Sequence, residues 1–129
     1  MIAVDSSAIV AIALREPKWE EFSNLIGNNR CLIGTTTAME CHMVLHARAG
    51  AEGISIIDGL LSRPYVELVD FNRDLLAIAR DAFDRYGRGR STAQLNFGNC
   101  MSYAVAKFHD VPLLFKGDYF RLTDVHAAL

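Results

Sequence analysis

The first fourteen residues, MIAVDSSAIVAIAL, constrain the fold more than any other stretch of the chain. A short apolar run over residues 2–4 stops at the carboxylate of Asp5, and a second apolar run begins at Ala8 after two serines. This pattern predicts a buried strand, a turn and a helix with a serine cap. Asp5 would then lie at the carboxyl end of a strand, where open α/β sheets place their sites, or it would only cap the helix.

The rest of the chain alternates short apolar runs with amphipathic stretches. Further strands are predicted at 31–33, 66–69 and 113–115, and helices at about 8–14, 18–28, 38–49, 54–61, 73–86 and 100–108. This alternation predicts a three-layer α/β/α sandwich with a mainly parallel central sheet of four to five strands. The length of 129 residues, without a repeat or an internal linker, predicts a single domain over residues 1–129.

Composition narrows the class of protein. Hydrophobic residues make up 51% of the chain, which favours an ordered globular protein. A net charge of -2 argues against a strongly basic, nonspecific nucleic-acid binder but leaves room for a local basic groove. Three cysteines without paired spacing fit a reducing compartment. No signal peptide and no apolar run of roughly 20 residues is evident, so we expect a cytoplasmic protein without a membrane segment.

Four polar residues lie at positions that suggest a functional site, either after a predicted strand or in an apolar helix. Asp5 and Asp118 each follow a predicted strand, and Asn99 opens an otherwise apolar helix. Glu40 has apolar neighbours three, four and seven residues further along its helix, and an inward-facing carboxylate is costly unless it is paired or binds a metal. If the four meet where strands end and helices begin, their charges call for a hard divalent cation such as Mg²⁺ or Mn²⁺, and phosphate chemistry is its natural use. Separate capping or surface roles for each residue are the alternative.

These residues also carry a resemblance to a known family. Four stretches match it in order and at its spacing, and together they cover the chain nearly end to end: MIAVDSSAIVAI, TTTAMECHMVL, LNFGNCMSYAVAK and PLLFKGDYFRLTDV. The sequence resembles a PIN-domain ribonuclease, specifically a VapC-type toxin of a toxin–antitoxin pair. The resemblance implies a Mg²⁺-dependent endonuclease that cuts RNA, a homodimer, and inhibition by a cognate VapB-type antitoxin.

The resemblance further implies an acidic quartet at the catalytic and metal-binding site. Asp5, Glu40 and Asp118 match three of its members, but Asn99 stands where the family usually has Asp, and Tyr119 stands where many relatives have a further Asp. An amide oxygen can still bind Mg²⁺, although without charge, so we expect weaker metal binding and reduced or abolished activity. The sequence leaves open whether Asn99 is natural or engineered.

Other residues are candidates for contacts with RNA. Ser7 can hydrogen-bond a phosphate or a metal-bound water, although helix capping is the more common role of such a serine. The remaining candidates are basic side chains for the RNA backbone and aromatic rings for its bases, with a solvated loop as the alternative for each: Arg88, Arg90, Lys116, Arg121, Tyr86 and Tyr119.

The sequence also contains residues that could form a phospho-receiver site or a zinc site. A CheY-like phospho-receiver would use Asp5 for metal, Asp70 as the phosphorylated residue and Lys116 as its lysine, but it needs a second acid beside Asp5 where this chain has Ser6. His42 and His46 stand four residues apart beside Cys41, as zinc ligands can, yet no second cluster of soft ligands completes a site.

Overall fold

A four-stranded parallel sheet forms the centre of the molecule. The computed structural model describes residues 1–129, and its strands are β1 (Ile2–Val4), β2 (Cys31–Gly34), β3 (Val66–Val69) and β4 (Leu113–Leu114). The strand order is β3–β2–β1–β4, and every pairing is parallel. Both inner strands are buried along their whole length, as expected for a sheet covered on its two faces. The predicted mainly parallel sheet is therefore confirmed.

Five helices cover the sheet, and a single turn of 3₁₀-helix follows β4. The helices are α1 (Ser6–Ala13), α2 (Trp19–Gly27), α3 (Thr35–Leu61), α4 (Arg73–Tyr86) and α5 (Phe97–His109), and the 3₁₀ turn is Tyr119–Leu122. Side chains that alternate along the strands enter two separate cores. Ala3 and Leu32 pack with α4 and α5, whereas Ile2, Val4 and Ile33 pack with α1, α2 and α3. This confirms the predicted three-layer arrangement.

Two predicted helices, 38–49 and 54–61, lie in one long element that bends sharply between them. α3 runs through both, and Gly50 interrupts its helical geometry with φ 57° and ψ −138°. A glycine takes this left-handed backbone without the steric cost that a Cβ imposes. The predicted stop at Gly50 is thus the position of the kink, and the chain resumes a helix directly after it.

The sequence predicts a serine cap for the first helix and offers residues 35–37 as caps for the helix that begins at about residue 38, and both predictions are wrong. Asp5, not a serine, is the N-cap of α1, and its side chain accepts a hydrogen bond from the Ser7 amide at 3.0 Å. α3 begins at Thr35 without any side-chain cap. Thr35 instead accepts a hydrogen bond from the Phe71 amide, and Thr37 shares one with a serine of α5. These two threonines connect α3 to the residues after β3 and to α5, and the local sequence does not indicate such contacts.

The clearest predicted helix, α4, forms as expected at its start and differs on one face. The sequence offers Asp70 and Asn72 as caps, and it is Asn72 that accepts a hydrogen bond from the Leu75 amide at 3.0 Å. The helical spacing predicts one apolar face that includes Leu75, Ala79 and Phe83. Leu75 and Ala79 are buried, but Phe83 is 41% exposed. No helix of the structure is both long enough and apolar enough to cross a lipid bilayer.

A candidate active site at the carboxyl end of the central strand

Asp5 is a buried carboxylate with one oxygen satisfied and one left free. It directly follows β1 and is 1% exposed. Its Oδ2 atom accepts two hydrogen bonds from Ser7, at 3.0 Å from the amide and at 2.6 Å from the hydroxyl. Its Oδ1 atom is buried and has no hydrogen-bond partner. A buried carboxylate oxygen without a partner costs free energy unless a ligand completes it, and capping of α1 leaves this oxygen unused.

Glu40 presents a second free carboxylate oxygen beside Asp5. Its Oε1 atom is buried without a partner. Burial raises the pKa of Glu40, a hydrogen bond from Ser6 opposes this, and the negative charge of Asp5 raises the pKa further. Because the charge of one carboxylate acts on the other, the two acids are neighbours although 35 residues separate them. A cation bound between them would offset the repulsion and would supply the contacts that the two free oxygens lack.

Gly98 gives the Glu40 carboxylate its space. Gly98 lies in the first turn of α5, and a Cβ atom at this position would overlap the carboxylate of Glu40. The first turn of α5 therefore meets the acidic pair directly. Sequence reasoning missed this residue, although a glycine inside an otherwise apolar helix is a recognised sign of close approach.

Asn99 is placed next to this contact, and its side chain is engaged in helix capping. Its Oδ1 atom accepts a hydrogen bond from the Asn96 amide at 3.1 Å, and the Asn96 side chain accepts one from the Asn99 amide at 2.9 Å. This reciprocal pair is a capping box with an asparagine in place of the usual acid. The polar character of Asn99, noted as unusual in the sequence, has this local explanation.

Asp118 lies on the loop after β4 and is exposed. The end of β4 is bound to the start of the site, since the Asp5 amide donates to the Leu114 carbonyl at 2.9 Å. Even so, no group of three or more His, Cys, Asp or Glu side chains lies close enough to hold a metal ion. The structure thus brings Asp5 and Glu40 together, and the four-residue site that includes Asn99 and Asp118 stays a prediction.

The donor set fits a hard divalent cation. Asp5 and Glu40 each offer one buried carboxylate oxygen without a partner, and Mg²⁺ in proteins is commonly held by one or two carboxylates while it keeps several waters. The soft ligands considered for zinc are separated: Cys41 is fully buried, whereas His42 and His46 are exposed on α3. The oxygen-only pair is therefore the better-supported metal site.

The residues predicted to contact RNA differ in their exposure and in the contacts that they already make within the protein. Lys116 donates to Glu16 at 2.9 Å, and Arg121 donates to the Leu129 carbonyl at 2.9 Å, so part of each charge is already engaged. Arg88 is exposed, and the guanidinium of Arg90 stands 5.4 Å from the ring of Phe83. Tyr119, directly after Asp118, is 54% exposed.

The amino-acid sequence matches known proteins over almost its whole length. The family model described as PIN domain matches residues 2–125. The chain is 42% identical over 127 residues to a protein named Ribonuclease VapC from Mycolicibacterium smegmatis, covering 98% of both chains. It is 39% identical over 125 residues to Ribonuclease VapC30 from Mycobacterium tuberculosis, covering 96% of this chain and 95% of that one.

Solved structures share the fold at much lower identity. The crystal structure of VapC20 from Mycobacterium tuberculosis, described as a Sarcin-Ricin loop cleaving toxin, superposes with a TM-score of 0.81 at 15% identity and covers 97% of this chain and 96% of its own. VapBC2 from Rickettsia felis, solved bound to a DNA fragment from its promoter, gives a TM-score of 0.73 at 17% identity, with 98% and 97% covered. These matches establish the same fold.

Proposed function

Because the chain belongs to the PIN domain family, we propose that it is a metal-dependent endoribonuclease and the toxin of a toxin–antitoxin pair. Relatives named ribonuclease are 39–42% identical over nearly the full chain. The observation that carries the proposal is the pair of carboxylates, Asp5 and Glu40, each with a buried oxygen atom that lacks a partner at the carboxyl end of the sheet. An acidic pair of this kind suits hydrolysis of phosphodiester bonds.

We assign Mg²⁺ as the metal, with Mn²⁺ as the substitute, and Asp5 and Glu40 as the residues that hold it. Asn99 and Asp118 are proposed as further ligands, since both lie on segments that adjoin the pair. When bound, the metal would neutralise charge on the scissile phosphate and acidify a water. With Asn99 the site has three formal negative charges rather than four, so we propose attenuated activity.

Glu40 is suited to orient the attacking water and to accept a proton from it. Its pKa is raised, first by burial, so its carboxylate accepts a proton more readily than an exposed one does. We assign its free Oε1 atom to orient a water for in-line attack on the phosphate. Protons also compete with metal at Glu40, so metal binding and activity should both decline as the pH falls through its raised pKa.

The RNA is proposed to lie across the loops that surround the acidic pair. Arg88 and Arg90 are assigned to the RNA backbone, together with Lys116, which would exchange its contact with Glu16 for a phosphate. Tyr119 is proposed as a stacking platform for a base because its ring is largely exposed beside Asp118.

The proposed partners are a cognate VapB-type antitoxin and a second copy of this chain. The antitoxin follows from membership of a family whose relatives are named VapC, one of them solved as a VapBC complex. The homodimer is supported by large apolar side chains left exposed on α3, α4 and α5. We also propose that the protein acts in the cytoplasm, where a ribonuclease toxin would meet cellular RNA.

The test compares cleavage of a single-stranded RNA by three proteins in Mg²⁺ and in EDTA. Wild type should cleave only with metal, and Asp5→Ala should lose cleavage by at least about 10²-fold because it removes a carboxylate of the site. Asp70→Ala is the matched control, since Asp70 also follows a strand but is exposed. Cleavage by Asp5→Ala at the wild-type rate would refute the proposal.

The same Asp70 control separates the nuclease from a phospho-receiver. Asp70 follows β3 at the edge of the sheet, two strands away from Asp5 on β1. A receiver needs these two acids in one pocket. Phosphorylation of Asp70 by a small phosphodonor, without RNA cleavage, would favour the receiver instead.

A further inference from the structure

A single hydroxyl group connects the acidic pair to the loop that carries Asp118. The Ser7 hydroxyl contacts two groups far apart in the chain: the carboxylate of Asp5 at 2.6 Å and the backbone amide of Lys116 at 3.0 Å. Lys116 comes two residues after β4 and two residues before Asp118. One side chain therefore joins the turn after β1 to the loop after β4.

The direction of both hydrogen bonds follows from counting protons. The Lys116 amide can only donate, so the Ser7 oxygen accepts that bond. The hydroxyl has one proton, and it donates this proton to Oδ2 of Asp5. With its proton committed to Asp5, the Ser7 hydroxyl has none to offer to a phosphate.

This arrangement also fixes which oxygen of Asp5 is free. Oδ2 accepts both the hydroxyl and the amide of Ser7, whereas Oδ1 accepts nothing although it is buried. Two hydrogen bonds to one oxygen hold the carboxylate in a single orientation. Hydrogen bonds to a metal-binding carboxylate commonly govern metal affinity in this way.

We propose that Ser7 is a positioning residue that holds Asp5 with its free oxygen turned to the metal and anchors the 116–118 loop at the same point. The inference rests on the proposed function, since it assigns Asp5 to the metal. It differs from both roles considered for Ser7 from the sequence, an RNA contact and a helix cap. Removal of the hydroxyl should loosen both segments at once.

The experiment measures binding of Mn²⁺ alone by electron paramagnetic resonance in the full chain. Ser7→Ala should weaken Mn²⁺ binding by about 10- to 100-fold, and Ser7→Thr, which keeps a hydroxyl, should restore it to within about threefold. Ser55→Ala is the matched control, because Ser55 is an exposed helical serine on α3 whose side chain makes no hydrogen bond; it should bind as wild type does.

A second readout needs no metal. The Lys116 amide donates to the Ser7 hydroxyl and to no backbone carbonyl, so its hydrogen exchange in the metal-free protein should accelerate in Ser7→Ala and stay slow in Ser7→Thr. Unchanged Mn²⁺ affinity or unchanged Lys116 exchange in Ser7→Ala would overturn the proposal. Equal losses in the alanine and threonine variants would also overturn it.

Asp5→Asn distinguishes failure of this inference from failure of the proposed function. If Asp5→Asn loses Mn²⁺ while Ser7→Ala binds normally, the metal site stands and only the positioning role falls. If wild type binds Mn²⁺ no more tightly than Asp5→Asn, the proposed metal site itself is refuted, and the Lys116 exchange rate still decides whether the hydroxyl anchors the loop.

Discussion

Asn99 is the third residue of α5, where an amide and a carboxylate have different consequences. As an amide it completes the capping box with Asn96. A carboxylate would complete the same box and interact favourably with the helix N-terminus, by about 0.3–1 kcal/mol. It would also add a charge beside Glu40, which touches the neighbouring Gly98. Without metal, the helix N-terminus stabilises the added charge whereas Glu40 repels it. With a metal ion bound, both the helix N-terminus and the metal ion favour the added charge.

Asn99→Asp should therefore bind Mg²⁺ or Mn²⁺ more tightly, by about tenfold or more, and cleave RNA faster, since it adds a negative charge beside the acidic pair. Repulsion from Glu40 should lower the metal-free stability, but the favourable helix terminus should keep that loss small. Calorimetric metal titration and thermal melts measure both quantities.

Asn96→Asp is the control for this prediction. It adds the same charge to the same helix end at an exposed position, so metal affinity should change little. Equal metal affinity of wild type and Asn99→Asp would show that residue 99 does not face the metal. An equal rise in Asn96→Asp would assign the effect to general charge.

At the residue scale, the sequence singled out Asp5 and Glu40, which the structure brings together, but it did not indicate how their side chains are held. Glu40 stood out because a carboxylate among apolar helix neighbours is costly, and the structure places it half-buried beside Asp5. The hydrogen bond from the Lys116 amide to the Ser7 hydroxyl depends on how β4 is packed beside β1, and the contact between Gly98 and Glu40 depends on how α5 is packed against α3. Side-chain contacts of this kind are set by tertiary structure, which no local pattern encodes.

At the scale of elements, strands were predicted more accurately than helix boundaries. Residues 2–4 and 66–69 were predicted as strands and form β1 and β3 with the same limits. Their apolar, β-branched ends mark them, and parallel pairing follows from the helices between them. α3 was predicted as two helices that separate at Gly50, and the structure has its non-helical break at Gly50, but the second helix begins directly after it rather than at residue 54.

The return of α3 after its kink depends on the absence of a side chain at Gly53. A Cβ atom there would overlap the backbone carbonyl of Leu45, and backbone cannot move aside as a flexible side chain does. Gly53→Ala should lower the free energy of unfolding by about 1–3 kcal/mol through overpacking, although alanine is the better helix former. Urea denaturation measures the change.

Gly59→Ala is the matched control within the same half of α3. No atom lies within 4 Å of the Cβ position at Gly59, so alanine should stabilise the protein by about 0.5–1 kcal/mol. The two variants should thus differ in sign. A stabilising Gly53→Ala would show that the close approach to Leu45 relaxes without cost.

At the scale of the whole molecule, several of the exposed apolar side chains lie together on α3, α4 and α5. Phe97 of α5 lies between two grooves of about 260 and 380 Å³. The first is lined by side chains of α3 that include Met39 and Met43, and the second by side chains of α4 that include Leu76 and Phe83. These five residues form what we term the apolar face. Phe97 is 77% exposed, and so large an exposed aromatic side chain is typical of an interface.

The sequence predicted a homodimer only through family resemblance, because residues of an interface show no periodicity that differs from that of a core. The apolar face supplies a physical reason for it. Both grooves adjoin α5, whose first turn contacts Glu40 through Gly98, so a partner on this face would lie close to the acidic pair. Dimerisation and access of RNA to the site would then be linked.

Phe97→Glu should therefore convert a dimer into a monomer, since it places a charge at the centre of the apolar face. We expect dimerisation to weaken by at least about 30-fold, or about 2 kcal/mol, as for an aromatic residue at the core of an interface. Sedimentation equilibrium over a range of concentrations measures this. Phe108→Glu is the control, because Phe108 is 47% exposed near the other end of α5, and it should sediment as wild type does. Two results would show that this face does not bind a second copy. The wild-type protein could stay monomeric at high concentration, or both the wild type and Phe97→Glu could sediment as dimers.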